Sequence, residues 1–306
     1  MKKKECFKVR LCSIEMKSIF DIGNSQEIFR IDCDRSLFCV QPTVINADPF
    51  LYVHNDKLYL FYESKILSEP GVIKMTWTSD LKHWSKPVIV LNEPFHLSFP
   101  YVFSEGGQIY MVPETGDNHS IRLYKADNDD LSHFTFITKL IDRSDWQDYP
   151  RIDYCDSSII KKGDKYYLFT SVCEKDTYEL RLFFSDSFDS GYLEHPLSPI
   201  VKSNKYGRCG GCVFAHDGEL FRIAQDCENG YGNNIHILRI TELTPDEYKE
   251  EISKENIIPT TGFYKNGGHQ LNIAEYKGQT IVATDAKEYH YFILSRLLRR
   301  MKIIGS

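Results

Sequence analysis

Asp48-Pro-Phe-Leu-Tyr-Val-His-Asn-Asp-Lys-Leu-Tyr-Leu-Phe-Tyr-Glu63 decides how the rest of the chain is read. Two apolar arms flank Asn55-Asp56, and a short Asn/Asp turn between apolar runs is the signature of a β-hairpin. The arm after the turn is rich in aromatic residues, which suit a pleated, half-buried surface. The unit returns as Phe99-Pro-Tyr-Val-Phe-Ser-Glu-Gly-Gly-Gln-Ile-Tyr-Met-Val-Pro-Glu114 and as Asp156-Ser-Ser-Ile-Ile-Lys-Lys-Gly-Asp-Lys-Tyr-Tyr-Leu-Phe-Thr170. It returns again as Gly211-Cys-Val-Phe-Ala-His-Asp-Gly-Glu-Leu-Phe-Arg-Ile-Ala-Gln225, and more weakly as His269-Gln-Leu-Asn-Ile-Ala-Glu-Tyr-Lys-Gly-Gln-Thr-Ile-Val-Ala283. The openers at 48, 99, 156, 211 and 269 are 51, 57, 55 and 58 residues apart. A second pair of strands follows several hairpins, at 72–78 with 87–91 and at 121–126 with 134–140. Four strands in ~55 residues make one propeller blade. The expectation is therefore an all-β, five-bladed β-propeller over residues 39–290. A two-sheet sandwich, the rival architecture, predicts no such constant step.

Outside the repeats, residues 1–38 read as strands or a lid packed on the propeller. Thr244-Pro-Asp-Glu-Tyr-Lys-Glu-Glu-Ile carries a capping residue, a Pro at the first helical position and early acids, which predict a short helix. Residues 291–306 form the third region, with a helix expected over 291–304. There Leu294, Leu297, Leu298 and Met301 recur at helical spacing between Arg296, Arg299, Arg300 and Lys302. Such a basic amphipathic helix suits peripheral contact with an anionic membrane, or simply packs its apolar stripe on the body.

Composition narrows the function classes. Of 306 residues, 42% are hydrophobic and no biased tract occurs, which excludes disorder, collagen and coiled coil. A net charge of −6 argues against a nucleic-acid partner. Nine irregularly spaced cysteines, no signal-peptide core and no run of ~18 apolar residues lead to the expectation of a cytoplasmic protein with reduced thiols. Cys209-Gly-Gly-Cys212 has redox spacing but lies in a β-repeat, and neither it nor its surroundings supply a standard zinc set. No phosphate-binding Gly-rich loop occurs, so a doubly wound nucleotide-sugar fold is not expected.

Blade openers and the ends of return strands converge at one mouth of a propeller channel. Here they are acidic and polar: Asp48, Asp156 and His269 open units, while Glu63, Glu114 and Asp226 end return strands. With Ala47-Asp48-Pro49, Phe99-Pro100-Tyr101-Val102 and Asp156-Ser157-Ser158 opening the first three units, the chain resembles the five-bladed propellers of glycoside hydrolase family 43. It resembles more closely the propeller domain of glucosamine inositolphosphorylceramide transferases and its stand-alone bacterial relatives. That likeness is carried by Ala47-Asp48-Pro49-Phe50, Tyr110-Met-Val-Pro-Glu114 and Ile121-Arg-Leu-Tyr-Lys125. It is carried also by Arg222-Ile-Ala-Gln-Asp226, Tyr231-Gly232-Asn233 and His269-Gln-Leu-Asn272, and covers about residues 40–290.

The resemblance implies roles. Asp48 matches the hydrolases' general base and Asp156 their orienting, pKa-tuning aspartate. Their general acid opens the fourth blade, where this chain has Gly210-Gly211-Cys212. Glu114 is the best remaining acid, with Glu63 and Asp226 as substitutes, and an acid on Glu114 would need burial or a carboxylate neighbour to keep its proton. Glu63, Tyr101, Arg222, Gln225, Asp226, Tyr231, His269 and Asn272 are expected to contact substrate. Each has a duller explanation: Asp48 can start a turn, Asp156 can cap one, Glu114 can pair with Arg122 or Arg222, and His269 can simply pack. The expected function is transfer or cleavage of a glycosyl unit in surface-polysaccharide or glycolipid assembly, on a carbohydrate, nucleotide-sugar or glycolipid substrate. The alternatives are a non-catalytic carbohydrate-binding propeller acting with a separate transferase, and a protein-interaction scaffold using the outer blade edges. No cofactor is required for either glycan reading. The family resemblance allows a structural calcium in the channel, but no motif here identifies its ligands.

Overall fold

The computed structural model describes residues 3–14, 22–142, 153–174 and 176–301. They are almost entirely β. Before the first repeat come β1 (Lys4–Ile14) and β2 (Gln26–Ile31). The first unit supplies β3 (Thr43–His54), β4 (Lys57–Ile66), β5 (Val72–Thr78) and β6 (Val88–Leu91). The second supplies β7 (Ser98–Glu105), β8 (Gln108–Glu114), β9 (Ser120–Ala126) and β10 (Phe134–Asp142). The third holds β11 (Tyr154–Lys162), β12 (Lys165–Glu174), β13 (Thr177–Ser185), β14 (Leu193–Glu194) and β15 (Val201–Lys202). The fourth holds β16 (Arg208–Cys209), β17 (Phe214–His216), β18 (Glu219–Asp226), β19 (Asn234–Leu243) and β20 (Tyr248–Lys254). The fifth contributes β21 (Leu271–Tyr276) and β22 (Gln279–His290), followed by helix α1 (Ile293–Arg300).

All five hairpin turns fall where the sequence puts them. His54 pairs with Lys57, Glu105 with Gln108, Lys162 with Lys165, His216 with Glu219 and Tyr276 with Gln279. In the first turn both central residues have positive φ, 47° at Asn55 and 56° at Asp56. That is the twist a two-residue hairpin needs, and Asn and Asp tolerate it.

The five repeats are distributed over four hydrogen-bonded sheets. The second, third and fourth units each form their own, while the first and fifth share an eight-stranded sheet ordered β21-β22-β1-β3-β4-β5-β6, with β2 on β1. Within that sheet β1 pairs antiparallel with β22 along all its eleven residues, but touches β3 in parallel only at Phe7 and Ile45. The N-terminal segment thus completes the fifth unit's sheet from within. Apolar cores lie between successive units: Phe50, Phe61, Phe99, Phe134 and Phe169 belong to one, Ile223, Ile235, Leu271 and Val282 to the next. Val9, Leu11, Leu58, Leu60, Ile281 and Ala283 fill the seam between fifth and first.

The helix expected at 244–252 is instead a turn feeding an edge strand. The Thr244 hydroxyl accepts the Glu247 amide at 2.9 Å, and β20 pairs with β19. In a strand Tyr248 and Glu250 face the same way, so Tyr248 packs on the core while its hydroxyl donates to Glu250 at 2.5 Å. A helix would turn them apart, and this tertiary gain overrides the capping signal. α1 lies inside the helix expected over 291–304, of which 302–304 fall outside the described residues. Leu297 and Met301 of its apolar stripe are 49% and 66% exposed. Among the described residues no helix is long and apolar enough to cross a membrane.

Candidate functional site

The openers share a backbone device. Opposite Tyr62, β3 carries two residues, Asp48 and Pro49, between the pairs Ala47–Glu63 and Phe50–Phe61. β7 does the same with Phe99 and Pro100, and β11 with Asp156 and Ser157. These are β-bulges, which bend the strand and re-aim a side chain. The first residue of each bulge is left-handed: φ is 50° at Asp48, 45° at Phe99 and 55° at Asp156. Asp tolerates that region, whereas for a bulky Phe it is a strained outlier of the kind found at functional sites.

The bulges are stitched to one another. Asp48 Oδ2 accepts the Phe99 amide at 3.1 Å, and Asp48 itself donates its amide to Asp285 Oδ2 at 3.2 Å. Asp285 Oδ1 accepts the amides of His269 and Gln270 at 2.8 and 3.2 Å. The His269 ring sits between the carboxylates, Nε2 3.0 Å from Asp48 and Nδ1 3.0 Å from Asp285. Burial alone would discharge this imidazole, but the acids on either side hold it protonated, well above the ordinary histidine value. Asp48 is ionised: burial opposes its charge, and His269, the Phe99 amide and Arg208 overcome that to lower its pKa.

A second group adjoins the first. Arg208 donates from Nε to Asp156 at 2.7 Å and lies 3.9 Å from Glu114. Its guanidinium stands 5.1 Å from the Tyr178 ring centre and 4.9 Å from that of Tyr231, and Nη1 donates to the Tyr178 hydroxyl. Burial and the neighbouring Asp156 push the Glu114 carboxyl well up, with Arg208 pulling the other way. Burial and Asp48 likewise hold the Glu63 carboxyl protonated, with His96 Nε2 3.4 Å away. Glu114 Oε2 and Glu63 Oε1 are buried without a hydrogen-bond partner, and such atoms call for an explanation. Tyr231, 37% exposed and 5.2 Å from the His269 ring, stands at the edge of the cluster. The cluster thus combines a fixed carboxylate with two carboxyls that keep their protons, the two states general acid–base chemistry requires.

Asp48, Glu63, Glu114, Asp156, Tyr231 and His269 thus come together. Gln225 joins them: its backbone pairs with Arg208, which puts both side chains on one face, and its buried amide has no partner. Strand alternation then turns Arg222 and Asp226 to the opposite face. The Arg222 guanidinium is wholly buried, bidentate to Glu250 at 2.6 and 2.8 Å, with Nη1 on the Tyr206 carbonyl. Those bonds take three of its five N–H donors, and with the guanidinium wholly buried the structure places Arg222 on Glu250 rather than in the cluster where a substrate contact was expected. Asp226 accepts the Glu228 amide and lies 3.3 Å from His236 Nε2. Tyr101 is a core residue whose hydroxyl donates to the Ile159 carbonyl at 2.5 Å, and Asn272 ties β3 to the fourth unit through the Leu51 amide and Cys212 Sγ. All three were expected to contact substrate, and in the structure these polar partners are protein groups.

Arg208 and Asp285 escaped the sequence reading. Asp285 follows Thr284, the partner of Leu271, and so stands just past the end of the β21–β22 pairing, inside the longer β22; extending the fifth copy by two residues would have found it. Arg208 precedes the Gly-Gly pair that drew attention for its lack of an acid. The reason for that lack is steric. A Cβ on Gly211 would lie 2.3 Å from the Leu271 carbonyl, and one on Gly210 2.8 Å from that of His269. The Cys209 and Cys212 thiols are pushed by burial up to about 11 and about 12, which makes them poor redox partners. The hydrolase resemblance allows a calcium in the channel, an ion that favours an all-oxygen set. Asp48, His269 and Asp285 each offer a ligand atom within 4.8 Å, but protonated His269 already places a positive charge between the carboxylates.

Among solved structures, the fold is similar to Zg3597, a family 117 glycoside hydrolase of Zobellia galactanivorans, with TM-score 0.57 and 14% identity over 83% of this chain and 92% of that one. The catalytic domain of a Coprinopsis cinerea family 62 α-L-arabinofuranosidase matches with TM-score 0.56 and 10% identity, over 78% and 90%. Glucosamine inositolphosphorylceramide transferase 1 from Oryza sativa subsp. japonica is 37% identical over 218 residues, 68% of this chain and 28% of its own length. The Arabidopsis thaliana protein of the same name is 35% identical over 217 residues, covering 68% and 27%. This chain spans little more than a quarter of those relatives. The model of the N-terminal region of glucosamine inositolphosphorylceramide transferase 1 matches residues 28–283, and the chain belongs to that family.

Proposed function

We propose that the five repeats are five blades around a carboxylate-lined channel, and that this channel transfers a glycosyl unit to an acceptor hydroxyl during glycolipid or surface-polysaccharide assembly. The observation that carries this reading is one buried polar cluster in which Asp48 is held by His269 and the Phe99 amide and is ionised, while Glu114 adjoins Arg208 and Asp156 and keeps its proton. Asp48, backed by His269 and Asp285, would take the acceptor proton; Glu114, held by Asp156 and Arg208, would donate to the departing group. The names of the relatives support an amino-sugar donor and an inositolphosphoryl lipid acceptor. A lipid-borne acceptor also suits Leu297, exposed on the basic C-terminal helix, and Met301, exposed just beyond it. With a nucleotide-sugar donor, the leaving phosphate departs already charged and makes little demand on the acid.

The test is glycosyl transfer from a nucleotide-sugar panel to inositolphosphoryl lipids and oligosaccharides. Asp48→Asn should lose nearly all turnover, by ~100-fold or more, while keeping ligand affinity. Aryl arabinofuranosides and xylosides should be hydrolysed negligibly; robust, Glu114-dependent release of nitrophenol would replace transfer with ordinary hydrolysis. One observation favours a second reading, a carbohydrate-binding module that presents a glycan to a separate transferase. Both Asp48 oxygens are already engaged, by His269 and the Phe99 amide. In that case no glycan turns over, and Asp48→Asn only weakens binding.

A further inference from the structure

Where the first and last strands of the chain meet, away from the acidic cluster, lies a group of soft ligands. Cys6 on β1 pairs in register with Glu288 on β22, so their side chains share a face. His290, two residues further along β22, shares it too. Cys33, just after β2, comes in from the side: its thiol donates to Glu288 Oε1 at 3.2 Å and meets the Cys6 thiol. His290 Nε2 is 3.1 Å from the same oxygen, yet it is buried and makes no hydrogen bond. Ligand atoms of Cys33, Glu288 and His290 all lie within 4.8 Å of one another. Cys6 is fully buried and Cys33 nearly so, with Val44 and Phe292 packed against them.

We infer that Cys6, Cys33, His290 and Glu288 form a structural zinc site that clasps the N-terminal strand to the last one. Two thiolates, an imidazole and a carboxylate are a donor set that a tetrahedral zinc ion accepts, with ligand atoms about 3.3–3.8 Å apart. The His290–Glu288 and Cys33–Glu288 separations of 3.1 and 3.2 Å need to open by only a few tenths of an ångström, while Cys6, whose thiol here donates to the Lys4 carbonyl at 3.6 Å and lies outside the 4.8 Å group, turns in to complete the set. Charge balances as well: one Zn²⁺ enters as two thiol protons leave to solvent, so the net charge of the cluster does not change. Lys8 Nζ, 3.2 Å from Glu288 Oε2, compensates that carboxylate with or without the ion. Arg35, whose Nε is 3.3 Å from Oε1, is half exposed and already reaches Oε2 through Nη2. It can shift there and leave Oε1 to the metal. The site would join segments more than 250 residues apart in sequence, and such a clasp adds its binding free energy to folding.

The reduced full chain, stripped of metal, is titrated with Zn²⁺ or Co²⁺ alone. One equivalent should bind, cobalt should give thiolate charge-transfer bands in the near ultraviolet, and zinc should raise Tm. Cys33→Ser should weaken cobalt binding by more than about 100-fold, beyond the 10–100-fold typical of changes outside the ligand set. Cys173→Ser, at an exposed thiol elsewhere, should leave binding unchanged. If Cys33→Ser does not fold, alkylation of the wild-type chain read by peptide mass spectrometry decides: zinc should protect Cys6 and Cys33 selectively. Absence of stoichiometric binding, unselective protection, or a Cys6–Cys33 disulfide in the protein as isolated would each overturn the assignment.

Discussion

His269 is held by two carboxylates inside the fold, and its charge has a consequence for stability. Its folded pKa is raised above the unfolded value of 6.5, so the stabilisation it gives is fully present below about pH 6.5 and is lost as pH rises through the folded pKa. Glu63 and Glu114, whose folded pKa values are also raised, act with the same sign from about pH 4.5 upward. Asp48 acts oppositely, but its window lies in acid, below its ordinary 3.8. Urea unfolding measured from pH 6 to 9 should therefore show stability falling with pH, and His269→Gln should flatten the slope. That substitution leaves Asp48 and Asp285 buried without their counter-ion, so it should also cost about 3–5 kcal/mol at pH 6. A slope unchanged in the variant would show that His269 is not the titrating group. Arg222 poses a contrasting case. Arg222→Ala leaves partly buried Glu250 with only the Tyr248 hydroxyl and should cost about 3 kcal/mol in urea denaturation, whereas Arg222→Met with Glu250→Leu should be close to neutral. Loss of glycan binding without loss of stability would place Arg222 in the site after all.

The bulge is the element that turns a repeat into a site. Each of the first three openers spends two residues where its partner strand spends one, and the fourth spends Gly210 to Val213 between the pairs Cys209–Ala224 and Phe214–Phe221. In that fourth bulge the Leu271 amide donates to the Gly210 carbonyl at 2.9 Å, which brings the backbones of two units into contact. Gly211→Ala should cost about 3 kcal/mol, the upper end for overpacking, and Gly211→Glu should not fold, because its Cβ meets the Leu271 carbonyl. Thermal melts of the two variants check this. A folded Gly211→Glu with gained hydrolysis of aryl glycosides would show that the position can hold the acid that the hydrolase resemblance led us to seek. Hairpin turns were legible in the sequence because turns with positive φ at one or both central residues favour Asn, Asp and Gly locally. Bulges were not, since a surplus residue is defined only against the partner strand, and the same holds for β20, whose capping signal lost to pairing with β19.

At the scale of the molecule, β1 occupies the place where the ends of the chain meet. Deleting residues 1–14 would expose the edge of β22 and uncover Leu58, Leu60, Ile281 and Ala283, so the truncated chain should aggregate or lose its cooperative melt. A monomeric, cooperatively folding truncation, seen by size exclusion and circular dichroism, would contradict that role for β1. The local chemistry of the chain by itself determined the all-β character, the repeat step, the five hairpin turns, and the acids at the ends of strands, because each is a matter of neighbours a few residues apart. Tertiary structure alone decided which of those polar groups face one another. Arg208, absent from the sequence-level set, came to lie between Asp156 and the tyrosines, and Asp285 behind His269, while Arg222 and Asp226 turned away by the alternation of a strand whose register only its partner sets. Burial then assigned the charges, since a carboxyl keeps or loses its proton according to neighbours that are distant in sequence and adjacent only in the fold.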